Sequence, residues 1–297
     1  MIESTHAPAV IDVSGLRKRY GDLEAVAGVD LRVQRGEVFA LLGPNGAGKT
    51  TTVEILEGYR KRDGGSVEVL GADPETAGSA WREDVGFVLQ SSSLYPNLSV
   101  AESLRLFAGY YAAPRDPDEV VELVGLSDKR DARARTLSGG QKRRLDLGLA
   151  LVGDPAVLFL DEPTTGLDPG ARRAAWDTVR GLRELGKTVL LTTHYLDEAE
   201  QLADRVAVLR RGQIVSEGTP DELTGGVAET EIRYRTGGDE VVERTSEPTR
   251  RLYELAGEAL ARGEELEALE VRRPTLEDVY LELTSDYPDD RPEPDPG

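Results

Sequence analysis

The stretch GPNGAGKTT (43–51) decides how this chain is read. It fits the pattern G-x-x-x-x-G-K-[ST], and each position has a physical reason. Gly43, Gly46 and Gly48, spaced by Pro44, Asn45 and Ala47, let the backbone curl until its N–H groups converge on phosphate oxygens. The helix that follows aims its positive end at the same place. Lys49 reaches the β- and γ-phosphates, the Thr50 hydroxyl ligates Mg²⁺, and Thr51 leads into the helix. The context is the required one. An apolar run, VFALL (38–42), precedes the loop. A helical stretch, TTVEILEGY (51–59), follows it and stops at Gly58.

Working outward, AVLFLDEP (156–163) supplies a partner. A buried strand ends in Asp161 and Glu162, at the edge where parallel sheets bind ligands. Asp161 holds Mg²⁺ and Glu162 polarises the attacking water in this reading. LSGGQ (137–141) opens a helix running through LDLGLALV (145–152). Ser138, Gly139 and Gly140 at that helix start, with Gln141, form a second anion site of the same type. Alone, Ser138 is an ordinary N-cap. Two phosphate-seeking sites in one chain point to one nucleotide held between two chains.

Short apolar strands alternate with helices through most of the chain, which implies a mostly parallel sheet. Val10–Val13 is a short strand followed by the basic stretch LRKRYG (16–21). GSVEVLG (65–71), VGFVLQ (85–90), AVLFLD (156–161) and KTVLLTTH (187–194) are further strands, and RVAVLRRGQIVSEG (205–218) is a hairpin turning at Arg211-Gly212. Residues 92–150 are a helical insertion, begun by a capping box of Ser99 and Glu102. After Thr219 the texture changes. Glu229–Tyr234, Glu240–Thr245 and LEALEV (266–271) are strands, Pro248–Ala261 is a helix, and Thr275 caps a last helix.

The 297 residues carry 36 basic and 55 acidic side chains, a net charge of -19. Residues 219–297 hold 22 of the acids and 9 of the bases, so the two regions differ in kind. So acidic a chain disfavours a non-specific nucleic-acid binder. Cysteine is absent, which excludes disulfides, cysteine zinc sites and cysteine nucleophiles. No secretory signal is visible at the start, and no apolar run approaches the ~20 residues that span a bilayer. A membrane role must be borrowed from a partner.

These residues resemble the ATP-binding subunits of ABC transporters. GPNGAGKTT, LSGGQ and LFLDEP stand in the family's order, with Gln90 between the first two and GLD (166–168) and His194 after the third. LDEPTTGLDP (160–169) and PTLEDVYLELT (274–284) resemble the drug-resistance (daunorubicin-type) exporter branch more particularly. The resemblance implies an α/β fold: a P-loop NTPase nucleotide-binding domain of ABC type, with a mostly parallel sheet and a helical subdomain. It implies hydrolysis of ATP with Mg²⁺ in an ATP-dependent homodimer, coupled to transport by a separate transmembrane permease subunit. It places the chain at the cytoplasmic face of the membrane as a peripheral protein.

The same resemblance assigns roles to side chains that are bland alone. Tyr20, 29 positions before Lys49, stacks on adenine. Gln90 senses Mg²⁺ and water and passes motion to the membrane subunit. Asp168, otherwise a helix N-cap, lies in a loop that crosses the dimer interface. His194 contacts the γ-phosphate. Residues 90–98 and the helical insertion are the docking surface.

The chain therefore divides into an ATP-binding domain (1–218, helical subdomain about 92–150), a small C-terminal α/β appendage (219–284) and a disordered acidic tail (285–297). The rival reading is a soluble ABC ATPase that remodels nucleic acid or ribosomes. One signature, no long coiled-coil insertion and no zinc cysteines count against it.

Overall fold

A computed structural model describes residues 9–88, 94–225, 230–236, 239–272 and 275–285. The chain forms two compact units, Met1–Glu217 and Gly218–Gly297.

In the first unit the elements run β1 (Ala9–Tyr20), β2 (Leu23–Gln34), β3 (Val38–Leu42), α1 (Lys49–Leu56), β4 (Gly64–Val69), α2 (Ser79–Glu83), β5 (Val85–Val88), α3 (Val100–Ala108), α4 (Pro117–Leu123), α5 (Gly139–Leu151), β6 (Val157–Asp161), α6 (Pro169–Glu184), β7 (Thr188–Thr193), α7 (Leu196–Leu202), β8 (Arg205–Arg210) and β9 (Gln213–Gly218). They make two sheets. The larger has the order β5-β6-β7-β3-β8-β9. Its strands β5, β6, β7, β3 and β8 are parallel neighbours. All five residues of β3 and all five of β6 are buried, as strands covered on both faces must be. The smaller sheet is antiparallel, β2-β1-β4. Phe39, Leu41, Phe159, Leu190 and Leu209 of the large sheet share one core with Ile11, Val13, Leu16, Val26 and Val29 of the small one.

Two details differ from the sequence reading. β1 does not stop at Val13 but runs through the basic stretch to Tyr20. Its bulges keep Leu16 in the core while Arg17 and Lys18 lie outward, paired with Glu24 and Asp63. β2 was not anticipated, because Ala25, Ala27 and Gly28 hide the alternation of Val26, Val29, Leu31 and Val33. β8 and β9 join through Arg211 (φ 46) and Gly212 (φ 75), two left-handed residues in the pattern of a tight hairpin turn.

Between β5 and β6 the described residues include three helices, α3, α4 and α5. Ser99 opens α3 with the full capping box, its side chain bonded to the Glu102 N–H and the Glu102 carboxylate to its own N–H.

The second unit holds α8 (Pro220–Gly225), β10 (Thr230–Thr236), β11 (Asp239–Thr245), α9 (Pro248–Arg262), β12 (Glu267–Arg272) and α10 (Leu276–Ser285). Its antiparallel sheet has the order β11-β10-β12. Leu255 of α9 packs on Ile232 and Tyr234 of the central strand, and α10 packs on α8. The Tyr234 hydroxyl donates to Glu243, which also pairs with Arg251 at 2.6 Å. The tail from 286 lies outside the described residues.

Candidate active site

The loop between β3 and α1 is held by close approaches that only glycine allows. A Cβ on Gly43 would stand 2.3 Å from the Leu209 carbonyl oxygen, and one on Gly48 (φ 105) equally close to that of Ala25. These contacts seat the loop on β8 and β2. Asn45 and Gly46 at its crest are exposed, with nothing within 4 Å of a Cβ on Gly46. Lys49, 5% exposed, folds back and donates to the carbonyls of Gly43 at 2.8 Å and Pro44 at 3.1 Å. Burial pulls the Lys49 ammonium below its ordinary value, against the charges of Glu162 and Asp161. An open crest of backbone N–H groups over a buried cation fits a polyphosphate.

The carboxylates arrive at the end of β6. Asp161 lies level with Thr192 of β7. The Thr192 hydroxyl donates to Asp161 Oδ1 at 2.5 Å, and its oxygen accepts the Glu162 N–H at 3.0 Å. Asp161 Oδ2 stands 3.4 Å from Thr50 Oγ1. Glu162 has φ 44, a left-handed backbone unusual for a residue with a side chain.

That turn points the Glu162 carboxylate into the site. Its Oε1 lies 3.5 Å from Lys49 Nζ and 3.2 Å from His194 Nδ1, and Oε2 accepts from Thr165 Oγ1 at 3.1 Å. Burial alone would raise this acid. The His194 hydrogen bond, the Lys49 charge and the Thr165 hydroxyl outweigh it and hold the group below its ordinary value. Glu162 is therefore an ionised acceptor with a cation on one side.

The signature is exposed at Ser138 and Gly139. Ser138 Oγ accepts the Gln141 N–H at 3.3 Å and the Gln141 amide oxygen accepts the Ser138 N–H at 2.9 Å, so both side chains cap α5. The Ser138 hydroxyl proton stays available to an anion. Gly140 lies against α6, where a Cβ would come 2.7 Å from Ala171 Cβ. Asp168 caps α6, accepting from the N–H groups of Gly170 (2.9 Å) and Ala171 (3.0 Å). Tyr20, at the end of β1, is 39% exposed, with the Arg60 guanidinium 5.2 Å from its ring centre. Gln90 lies outside the described residues.

The structure thus brings Lys49, Thr50, Asp161, Glu162 and His194 together. It also adds residues the sequence reading passed over. Thr192 orients the Asp161 carboxylate and anchors the Glu162 backbone N–H. Its signal was its place in TVLLTTH, two residues before His194, which directly follows β7. Glu198 of α7 is fully buried and accepts from Thr164 Oγ1 (2.8 Å) and Trp176 Nε1 (3.2 Å), pinning the turn that follows Asp161 and Glu162. Burial pushes Glu198 up, and its second oxygen is unpartnered. Among the described residues no three His, Asp or Glu side chains gather as a metal cage. A hydroxyl and a carboxylate as near as Thr50 and Asp161 still suit Mg²⁺, which takes few protein ligands and completes its shell with phosphates and water. No helix among the described residues is long and apolar enough to cross a membrane.

Comparison with known proteins agrees with this geometry. Residues 26–165 match the family model for the ABC transporter domain. The chain is 43% identical to a daunorubicin resistance ATP-binding protein of Streptomyces coeruleorubidus, over 94% of this chain and 97% of that one. It is 39% identical to a Nod factor export ATP-binding protein of Rhizobium etli, over 92% and 93%. Among solved structures, a dimeric ATP-binding cassette in a post-hydrolysis state with ADP and Pi superposes with a TM-score of 0.63 at 25% identity, over 70% of this chain and 98% of that one.

Proposed function

This chain belongs to the ATP-binding subunits of ABC transporters, and from that premise we propose that it is the ATP-hydrolysing motor of an exporter for drug-like small molecules, acting on a separate membrane subunit. The observation that carries the reading is the Glu162 carboxylate, ionised and aimed into the site between Lys49, His194 and Thr165. A carboxylate so placed accepts a hydrogen bond from water and directs its lone pair at a γ-phosphate held by the loop. His194 steadies it.

The remaining roles are those the family resemblance implies. Lys49 turns from the loop carbonyls to the phosphates. Thr50 and Asp161 would hold Mg²⁺, and the family resemblance gives Gln90 a share in that role; the ion would supply charge neutralisation at the phosphates. Tyr20 offers a ring face to adenine. Ser138, Gly139, Gly140 and Gln141 meet the γ-phosphate of ATP bound to a second copy, and the Asp168 loop lies at the junction. Two copies thus enclose two nucleotides. The relatives' names, daunorubicin resistance and Nod factor export, support outward transport. Residues 90–98 and the helical insertion would be the docking surface for the membrane subunit, with the motor at the cytoplasmic face.

Steady-state ATPase assays on Glu162→Gln test the reading. The amide keeps the shape but is a poor proton acceptor, so turnover should fall by about 10²–10⁴-fold while ATP binding is retained. Near-normal turnover would remove Glu162 from the mechanism.

A further inference from the structure

The left-handed backbone of Glu162 needs something to hold it, because an L residue relaxes out of that region when it is free to do so. Its N–H side is fixed by β7, where Thr192 offers both its hydroxyl oxygen at 3.0 Å and its carbonyl at 3.2 Å. Its C=O side is fixed from a different element. Arg143, on α5, reaches across to the same turn. Its Nη2 donates to the carbonyls of Asp161 at 2.8 Å and Glu162 at 3.2 Å, and its Nε donates to that of Pro163 at 2.9 Å. One guanidinium therefore gathers three successive carbonyls of the chain leaving β6. Among the described residues the last pairing of β6 with β5 is that of Leu160 with Val88. Carbonyls at a buried strand end need donors.

We propose that Arg143 is a positioning residue for hydrolysis: it locks the turn at Asp161–Pro163 so that the Glu162 carboxylate faces the nucleotide, and it ties that carboxylate to the helix carrying the signature. The planar fork is what the task requires. Nη2 and Nε point in fixed directions and span three peptide groups, which the single ammonium of a lysine does not. Burial lowers the guanidinium's pKa, and the charges of Asp146, Asp161 and Glu198 oppose that in part.

The position of Arg143 on α5 gives the contact a second consequence. Ser138 and Gln141 form the cap of the same helix, whose first turn holds Gly139 to Lys142. A phosphate drawn onto the Ser138 end pulls on α5, and Arg143 carries that pull to Glu162 of the same subunit. Closure at one nucleotide thereby aligns the carboxylate at the other. This rests on the reading of Glu162 as the group that polarises water.

The test compares full-length wild type, Glu162→Gln, Arg143→Ala, Arg143→Gln and Arg143→Lys in ATPase and ATP-binding assays. Arg143→Ala should lower kcat by about 10- to 100-fold, the range a small misplacement of a reacting group produces. Its ATP affinity should stay within about threefold of wild type, because no phosphate contact is touched. Arg143→Lys should recover little of the loss. Free guanidinium ion at non-denaturing concentration should restore part of kcat to Arg143→Ala and none to Glu162→Gln. If the alanine variant does not fold, Arg143→Gln carries the same kinetic expectation. Wild-type kcat in Arg143→Ala or Arg143→Gln overturns the proposal. So does a parallel fall of kcat, ATP affinity and melting temperature without guanidinium rescue, which marks a merely structural side chain. Turnover surviving in Glu162→Gln would remove the base assignment, and the clamp with it.

Discussion

Replacing Thr192 by Val deletes one hydroxyl from a fully buried position and leaves the side-chain volume almost unchanged, so no cavity opens. What is lost is the hydrogen bond to Asp161 Oδ1 at 2.5 Å. A bond to a charged acceptor contributes about 1.5–3 kcal/mol. The Glu162 N–H also loses its hydroxyl partner, but the Thr192 carbonyl remains at 3.2 Å, so no donor is orphaned and that part adds little. The whole change should therefore cost about 1.5–3 kcal/mol. For a unit the size of Met1–Glu217 each kcal/mol moves the melting temperature by about 2–4 °C, which gives a fall of about 3–12 °C. Circular dichroism melts without nucleotide measure it.

The source of the loss is checked by a cycle with Asp161→Asn. A neutral amide oxygen accepts a bond of only about 0.5–1.5 kcal/mol, so Thr192→Val should cost about half as much in that background. Equal losses in both backgrounds, or a loss below about 1 °C in the first, would show that the Thr192–Asp161 bond does not support the site as argued. ATP turnover should fall in Thr192→Val as well, since Asp161 and the Glu162 amide lose a common anchor.

Two further outcomes are expected. In a Glu162→Gln background, which holds ATP unhydrolysed, Ser138→Arg should weaken ATP-driven dimerisation by roughly 10²–10⁴-fold, because two signature contacts to a charged acceptor at about 1.5–3 kcal/mol each are lost. Ser138 is exposed, so monomer folding should lose only the cap, about 1 kcal/mol; dimer on size exclusion with ATP would defeat the composite site. The second outcome concerns pH. Burial, then the charges of Asp161 and Glu54, push Glu57 up to about 8 from 4.5. Between those values the folded chain keeps a proton that the unfolded chain has released, so this group's contribution to stability declines as pH rises and levels off above about 8. Glu57→Gln should flatten the decline in thermal melts from pH 5 to 9, and parallel curves for the two proteins would refute the assignment.

Much of this protein is legible in one dimension because some of its chemistry is local. GPNGAGKTT carries its own logic within nine residues: glycines for curvature, a cation, a hydroxyl and a helix start. Ser99 with Glu102 and Ser138 with Gln141 announce their helices because a capping box closes within one turn. Strands buried on both faces, such as VFALL and the VLFL of β6, are unbroken apolar runs and need no context. β2 was illegible because its small residues blur the alternation that marks a half-buried strand.

The tertiary structure decided what depends on residues far apart in sequence. Asp161 and Glu162 are adjacent letters, but their different orientations come from Thr192 on the neighbouring strand and Arg143 on α5. The ionised state of Glu162 is likewise set by His194 and Lys49, 32 residues after it and 113 before it. No spacing rule predicts those pairings, because strand order, not sequence order, puts β7 between β6 and β3. Sequence by itself determined which groups are available for the chemistry. The parallel sheet decided which of them meet, since hydrogen-bonded register across its strands sets the distances over which hydroxyl, carboxylate and ammonium act on one another.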